Sequence, residues 1–237
     1  MMSRYRNPPT VSARARRFGR RLALWLVLFA ASPAAMAADA VPVPKGYGDA
    51  MAWYQRAAEA GNPRAQYFLG LIYWSGLKGP KDSKRAAHWF EKAARQGHPG
   101  AQFSLGLAYQ TGSGRPRDTA KAAEWYAAAA RSGHVEAAFN LGVFYERGVG
   151  VAKNPAQAAI LFKQAAQAGL PRAQYNLGLL YGEGGGVPKD RVRAWRWLNR
   201  AKQAGYGPAG AALKSLERSM SKAERMKARS QTAKPKT

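Results

Sequence analysis

Apolar residues in this chain recur at helical spacing. In "AQYFLGLIYWSG", residues 65–76, Ala65, Leu69, Ile72 and Tyr73 fall at i, i+4, i+7 and i+8, the spacing of one helical face. Ala86, Trp89, Phe90, Ala93 and Ala94, at offsets 0, 3, 4, 7 and 8, define a second face built from aromatic and small residues. No strand-like alternation is sustained, so the pattern predicts an all-α chain. One position resists it: Gly70 lies mid-helix, where glycine costs about 1 kcal/mol relative to alanine.

The cost recurs, because the chain repeats every 36 residues. Gly61, Gly97, Gly133, Gly169 and Gly205 keep that interval. The same shift carries Leu69-Gly70 onto Leu105-Gly106, Leu141-Gly142 and Leu177-Gly178, and Tyr73 onto Tyr109, Tyr145 and Tyr181. Trp53 maps to Trp89, Trp125, Leu161 and Trp197. A period of this size with this many matched positions predicts an α-solenoid of helix-turn-helix units.

Within each unit a first helix carries the tryptophan and alanine face, and a glycine follows in the place of a left-handed residue. Pro63, Pro99 and Pro171 then open the second helix, where proline is tolerated. That helix ends near Gly76, Gly112, Gly148 or Gly184. Asp82, Asp118, Asn154 and Asp190 stand ready to cap the next first helix. Asn154, Pro155 and Gln157 resemble a capping box. The repeated Gly70, Gly106, Gly142 and Gly178 imply a close approach by a neighbouring helix or a tryptophan ring.

The repeats occupy residues 43–213 as four full units and a degraded fifth, after a short linker at 38–42. Leu213, Leu216, Met220, Ala223 and Met226 then form a stripe that predicts one basic amphipathic capping helix over 214–229, with 230–237 disordered.

Charge and composition change this picture at its ends. Residues 1–21 hold seven arginines and no acid, followed by the apolar run "LALWLVLFAA" and then Ala35-Met36-Ala37. This is the layout of a secretory signal peptide over 1–37, with a run too short for the ~20 residues of a typical span. An uncleaved anchor is the rival reading. The chain carries +25; cleavage lowers Lys+Arg from 38 to 31 against 13 acids and leaves +18, of which +6 lies at or after Lys214. The expected location is periplasmic or secreted, which sets nucleic acid aside as a partner. With no cysteine, disulfides, thiolate metal sites and cysteine nucleophiles are excluded.

The A-x-x-W-Φ-x-x-A-A-x-x-G segments, the A-Q-Y-x-L-G-x-x-Y segments and the turns ending in a basic residue and Asp resemble the Sel-1-like repeat family, relatives of the tetratricopeptide arrays. The resemblance implies a right-handed superhelix of helix pairs and a non-catalytic role as adaptor or scaffold, without cofactor. Cysteine-rich relatives associated with β-lactams carry a disulfide in each unit, which this chain lacks.

No residue set converges on catalysis. His98 and His134 recur one unit apart and His88 lies on a first helix, but no carboxylate repeats beside them, so they read as surface histidines and not metal ligands. Ser219 and Lys222 match an S-x-x-K fragment without its companion motifs. The Gly-rich turns follow helices, where a phosphate-cradling loop follows a strand. Within "RVRAWRWLNR", Trp197 belongs to the core tryptophan column, leaving Trp195 surplus among solvated arginines.

The leading expectation is an envelope scaffold that binds another protein along the concave face. On this reading the positions that vary between first helices make contact: His88, Glu91, Lys92, Glu124, Lys163 and Arg196, with Trp195 beside them. The alternative is an anionic envelope polymer or membrane surface held by the basic surface and tail.

Overall fold

The computed structural model describes residues 47–77 and 79–230. The predicted signal peptide, the linker, the start of the array and residues 231–237 lie outside the described residues.

The described residues form eleven helices and no strand. They are α1 (Tyr47–Glu59), α2 (Pro63–Ser75), α3 (Ser83–Arg95), α4 (Pro99–Thr111), α5 (Thr119–Arg131), α6 (Val135–Arg147), α7 (Pro155–Gln167), α8 (Pro171–Glu183), α9 (Arg191–Gln203), α10 (Gly207–Ser219) and α11 (Lys222–Ser230). The first ten have 13 residues each. Connections alternate between a short turn and a longer Gly-rich one, which together set the 36-residue period. The short turns reverse at Gly61, Gly97, Gly133, Gly169 and Gly205, all with positive φ.

Asp82, Asp118, Asn154 and Asp190 cap α3, α5, α7 and α9, each accepting from the amide three residues on at 2.8–3.0 Å. Their own N–H groups donate to the carbonyls of Tyr73, Tyr109, Tyr145 and Tyr181 at 2.8–3.0 Å, tying each cap to the preceding helix. The expected box at Asn154 is therefore half-formed: the Asn154 amide donates to the Tyr145 carbonyl.

The longest packing seams run between a second helix and the first helix of the next unit: α2 on α3, α4 on α5, α6 on α7 and α8 on α9. The repeated mid-helix glycines lie in these seams. A Cβ at Gly142 would lie 2.8 Å from Cε1 of Phe162, and one at Gly106 would lie 2.8 Å from the Tyr126 ring. Gly70 and Gly178 receive Phe90 and Leu198 in the same way. The core side chain is thus the residue after the tryptophan position. Trp53, Trp89, Trp125 and Trp197 are half-buried, whereas Phe90, Tyr126, Phe162 and Leu198 are at most 2% exposed. The reason is rotational: one residue on is about 100° around the helix, which aims the Phe90 column at the glycine seam.

A buried carbonyl ladder also repeats. Gln66, Gln102 and Gln174 donate to the carbonyls of Ala58, Ala94 and Ala166 at 3.0, 3.3 and 3.2 Å. The third unit has Ala138 in the glutamine's place, and there Gln164 of the next first helix reaches the Ala130 carbonyl at 2.9 Å. That carbonyl also accepts from the Gly133 amide at 3.0 Å, so the side-chain amide is its second donor, supplied here from another helix.

The basic segment 214–229 is two helices, not one. The chain breaks at Met220, which is extended, and α11 opens with a true capping box. Ser221 Oγ accepts from the Glu224 amide at 3.1 Å, while Glu224 Oε2 accepts from the Ser221 amide at 2.7 Å. The helix folds back onto α9, burying Ala228 and leaving Met226 exposed. On α10, exposed Lys214 stands where the repeat has Gly178 and its equivalents, and exposed Arg218 where the fourth unit has Gly182. The last second helix therefore has no glycine seat for another unit.

Candidate functional site

The candidate column on the first helices divides on inspection. His88, Glu124 and Lys163 are exposed, as is Ile160 at 62%, and Arg196 is half-buried. Lys92 lies over the Trp89 ring with Nζ 4.7 Å from its centroid. Glu91 is engaged internally: it accepts from Arg95 at 2.7 Å and from Arg115 at 3.0 Å. The hydrogen bond from Arg95, then that from Arg115, holds its carboxyl below the usual carboxylate range, against the effect of burial.

Arg115 is a residue that sequence reasoning missed. It reaches back from the long turn to Glu91, to the Ala87 carbonyl at 3.2 Å and to the Tyr109 hydroxyl at 2.7 Å. One unit on, the equivalent places hold Ala127 and Val151, both half-buried against the core. An ion pair in one unit is an apolar pair in the next, so the variation at Glu91 reflects internal pairing. The signal lay in reading the two columns together.

Trp195 is likewise withdrawn from the contact surface. It is 6% exposed, packs with Leu198, Leu213 and Met220, and donates from Nε1 to Glu217 at 2.7 Å. Its companions come from α10, α11 and the break between them, which is why the other units have no tryptophan there.

A different surface repeats in all four complete second helices. Tyr67, Phe103, Phe139 and Tyr175, with Leu71, Leu107, Val143 and Leu179 one turn on, are half-buried. The stripe continues across unit borders. His98 stacks on Tyr67 and His134 on Phe103, each with centroids 4.5 Å apart, Arg172 lies over Phe139 at 4.4 Å, and Tyr175 meets Tyr206 at 5.2 Å. Sequence reading did not single out this stripe, because periodicity marks the apolar face without showing how wide a band the neighbours cover.

His98 and His134 are not simple surface groups. Each caps a second helix, Nδ1 accepting from the Ala101 amide at 3.2 Å and from the Ala137 amide at 3.3 Å. Such an acceptor must be unprotonated. Burial lowers the pKa of both; Arg64 lowers that of His98 further, while Glu136 partly restores that of His134. A lowered folded pKa means the unfolded chain binds more protons below about pH 6.5, so stability present at pH 7.5 is lost as pH falls toward the folded values. The Tm is expected to fall between pH 7.5 and 5. The double variant His98→Asn, His134→Asn, which keeps a capping acceptor, should flatten that slope in a thermal melt series; an unchanged slope would reject the assignment.

Among the described residues, no three His, Asp or Glu side chains are grouped to hold a metal ion, and no helix is long and apolar enough to cross a membrane.

These features define an array of stacked helix pairs, an α-solenoid with an apolar stripe on its second helices. The chain belongs to the Sel1 repeat family, whose model matches residues 39–62, 63–98, 99–134, 135–170 and 171–206. From residue 63 on, each matched unit starts at a second helix, the same frame as the longest packing seams. A Sel1 repeat protein from Oxalobacter formigenes is similar at 36% identity and TM-score 0.67, over 70% of this chain and 69% of that one. A protective antigen of uropathogenic Escherichia coli strains, displaying the same repeat fold, is similar at 30% identity and TM-score 0.51, over 79% of this chain. This chain spans 48% of that antigen's length. No curated protein matches. Sel1 repeat proteins generally act as non-catalytic protein–protein interaction scaffolds.

Proposed function

We propose that this chain is a periplasmic or secreted scaffold that holds another envelope protein along the stripe of its second helices. The observation carrying this reading is the stripe itself: one aromatic and one aliphatic side chain per unit, half-buried against the core and partly open in four successive units. Contiguous exposed apolar surface marks interaction sites, whereas isolated exposed residues such as Ile160 are ordinary. The signal-like first segment supports the envelope setting. His88, Glu124 and Lys163, exposed on the first helices, are the rival contact set.

The test is co-purification with the tagged chain from its own envelope fraction, at low and then high salt. A protein retained at high salt, and lost from the triple variant Leu107→Glu, Val143→Glu, Leu179→Glu, is the expected result. Fully burying each such anchor contributes about 1.5–3 kcal/mol, so three losses are decisive. Retention by that variant, with loss on reversing His88, Glu124 and Lys163 to opposite or acidic side chains, would move the site to the first helices.

A further inference from the structure

We infer that the edge formed by the Gly-rich turns is a docking edge for a linear polyanion, a carboxylate-bearing polysaccharide, contacted by Lys81, Arg117, Lys153 and Lys189. These four side chains are exposed and stand one per unit, each immediately before the capping residue of a first helix.

Charge accounting around each cap separates them from their neighbours. Asp82 pairs with Arg85, Asp118 with Lys121 and Asp190 with Arg193, each at 3.3 Å. These partners also lie over Tyr73, Tyr109 and Tyr181. Each capping acid is thus already answered by the base three residues on. In the unit where the cap is neutral Asn154, the fourth position is neutral Gln157, so two substitutions leave the local balance unchanged. In all four units this cation remains over, and among the described residues no carboxylate pairs with it; in the first unit exposed Lys84 stands beside it, likewise without such a pair. Lys81 rests over Trp74, 4.4 Å from the ring centroid, with its charge still exposed.

Fold stability does not account for this residue. A cation beside a helix N-terminus opposes the helix dipole, and an acid is the favoured type there. The structure needs only the stem: the Cβ atoms of Arg117, Lys153 and Lys189 lie 3.3–3.5 Å from where a Cβ would stand at Gly112, Gly148 and Gly184. A neutral side chain with the same Cβ packs equally well. A single file of unanswered cations along one edge matches a flexible linear polymer with regularly spaced charge, whereas a flat lipid surface calls for a plane of cations joined by apolar side chains. This site is independent of the apolar stripe.

The experiment uses the full chain with immobilised polygalacturonate, with neutral dextran and vesicles of phosphatidylglycerol and phosphatidylethanolamine as the other arms, at about 0.1 M salt. The ladder variant replaces Lys81, Arg117, Lys153 and Lys189 with Gln. The control variant replaces Arg56, Lys92, Arg131 and Lys163 with Gln, so both lose four charges. Expected are binding to polygalacturonate and not dextran, loss of about tenfold or more in the ladder variant with a shallower salt dependence, and a much smaller loss in the control. The ladder variant should keep or raise its Tm, which shows that lost binding is not lost folding. Equal losses in both variants would reduce the effect to net charge and overturn the assignment, as would capture by vesicles alone or no capture by the polymer.

Discussion

Replacing Phe162 with alanine is expected to lower stability by about 3–5 kcal/mol, the range for a fully buried aromatic side chain. Phe162 is 0% exposed and fills the seam between α6 and α7 at Gly142. The sharper result is a change of sign at Gly142. In the native background Gly142→Ala places a Cβ 2.8 Å from the Phe162 ring, and crowding of that kind costs about 1–3 kcal/mol. In the Phe162→Ala background the same substitution partly fills the void and gains about 1 kcal/mol of helix propensity. Chemical denaturation of the four proteins gives the cycle. A Gly142→Ala effect of one sign in both backgrounds would show that ring and glycine are not coupled.

The second large effect is at Gly150, which has φ +67° and whose added Cβ would collide with the Thr119 carbonyl at the start of α5. Gly150→Ala combines a left-handed conformation, costing about 1–2 kcal/mol, with a backbone clash, for a total near 3 kcal/mol or more. Gly133→Ala is the matched control: φ is +82° but nothing lies within 4 Å, so only the conformational part applies. Hydrogen exchange should show the Gly150 variant opening first at the Lys121 and Ala122 amides, which donate to Asp118. Equal midpoints for the two variants would mean that the turn tip does not bear on the preceding unit.

Much of the fold was legible because its punctuation is chemical. Pro63, Pro99 and Pro171 start helices, Asp82 and its equivalents cap them, and the glycines after Ala60, Gln96 and Ser132 end them, each through a local conformational preference. What failed was aim. Trp89 and Phe90 are neighbours on one apolar face, and choosing which enters the glycine seam needs the azimuth of the next helix. Trp195 failed for a related reason, since its partners Glu217 and Met220 lie just before and at a break that no strong breaker residue announces. The candidate surface was the least legible part: variation at Glu91 looked like recognition until Arg115 supplied its partner from 24 residues downstream.

The seat at Gly178 has no counterpart on α10, where Lys214 and Arg218 stand instead. Each internal second helix offers the following unit a bare patch of backbone, and the last one offers two long cationic chains. A unit duplicated between existing ones finds a seat on one side and supplies one on the other. Appended after α10 it would find none.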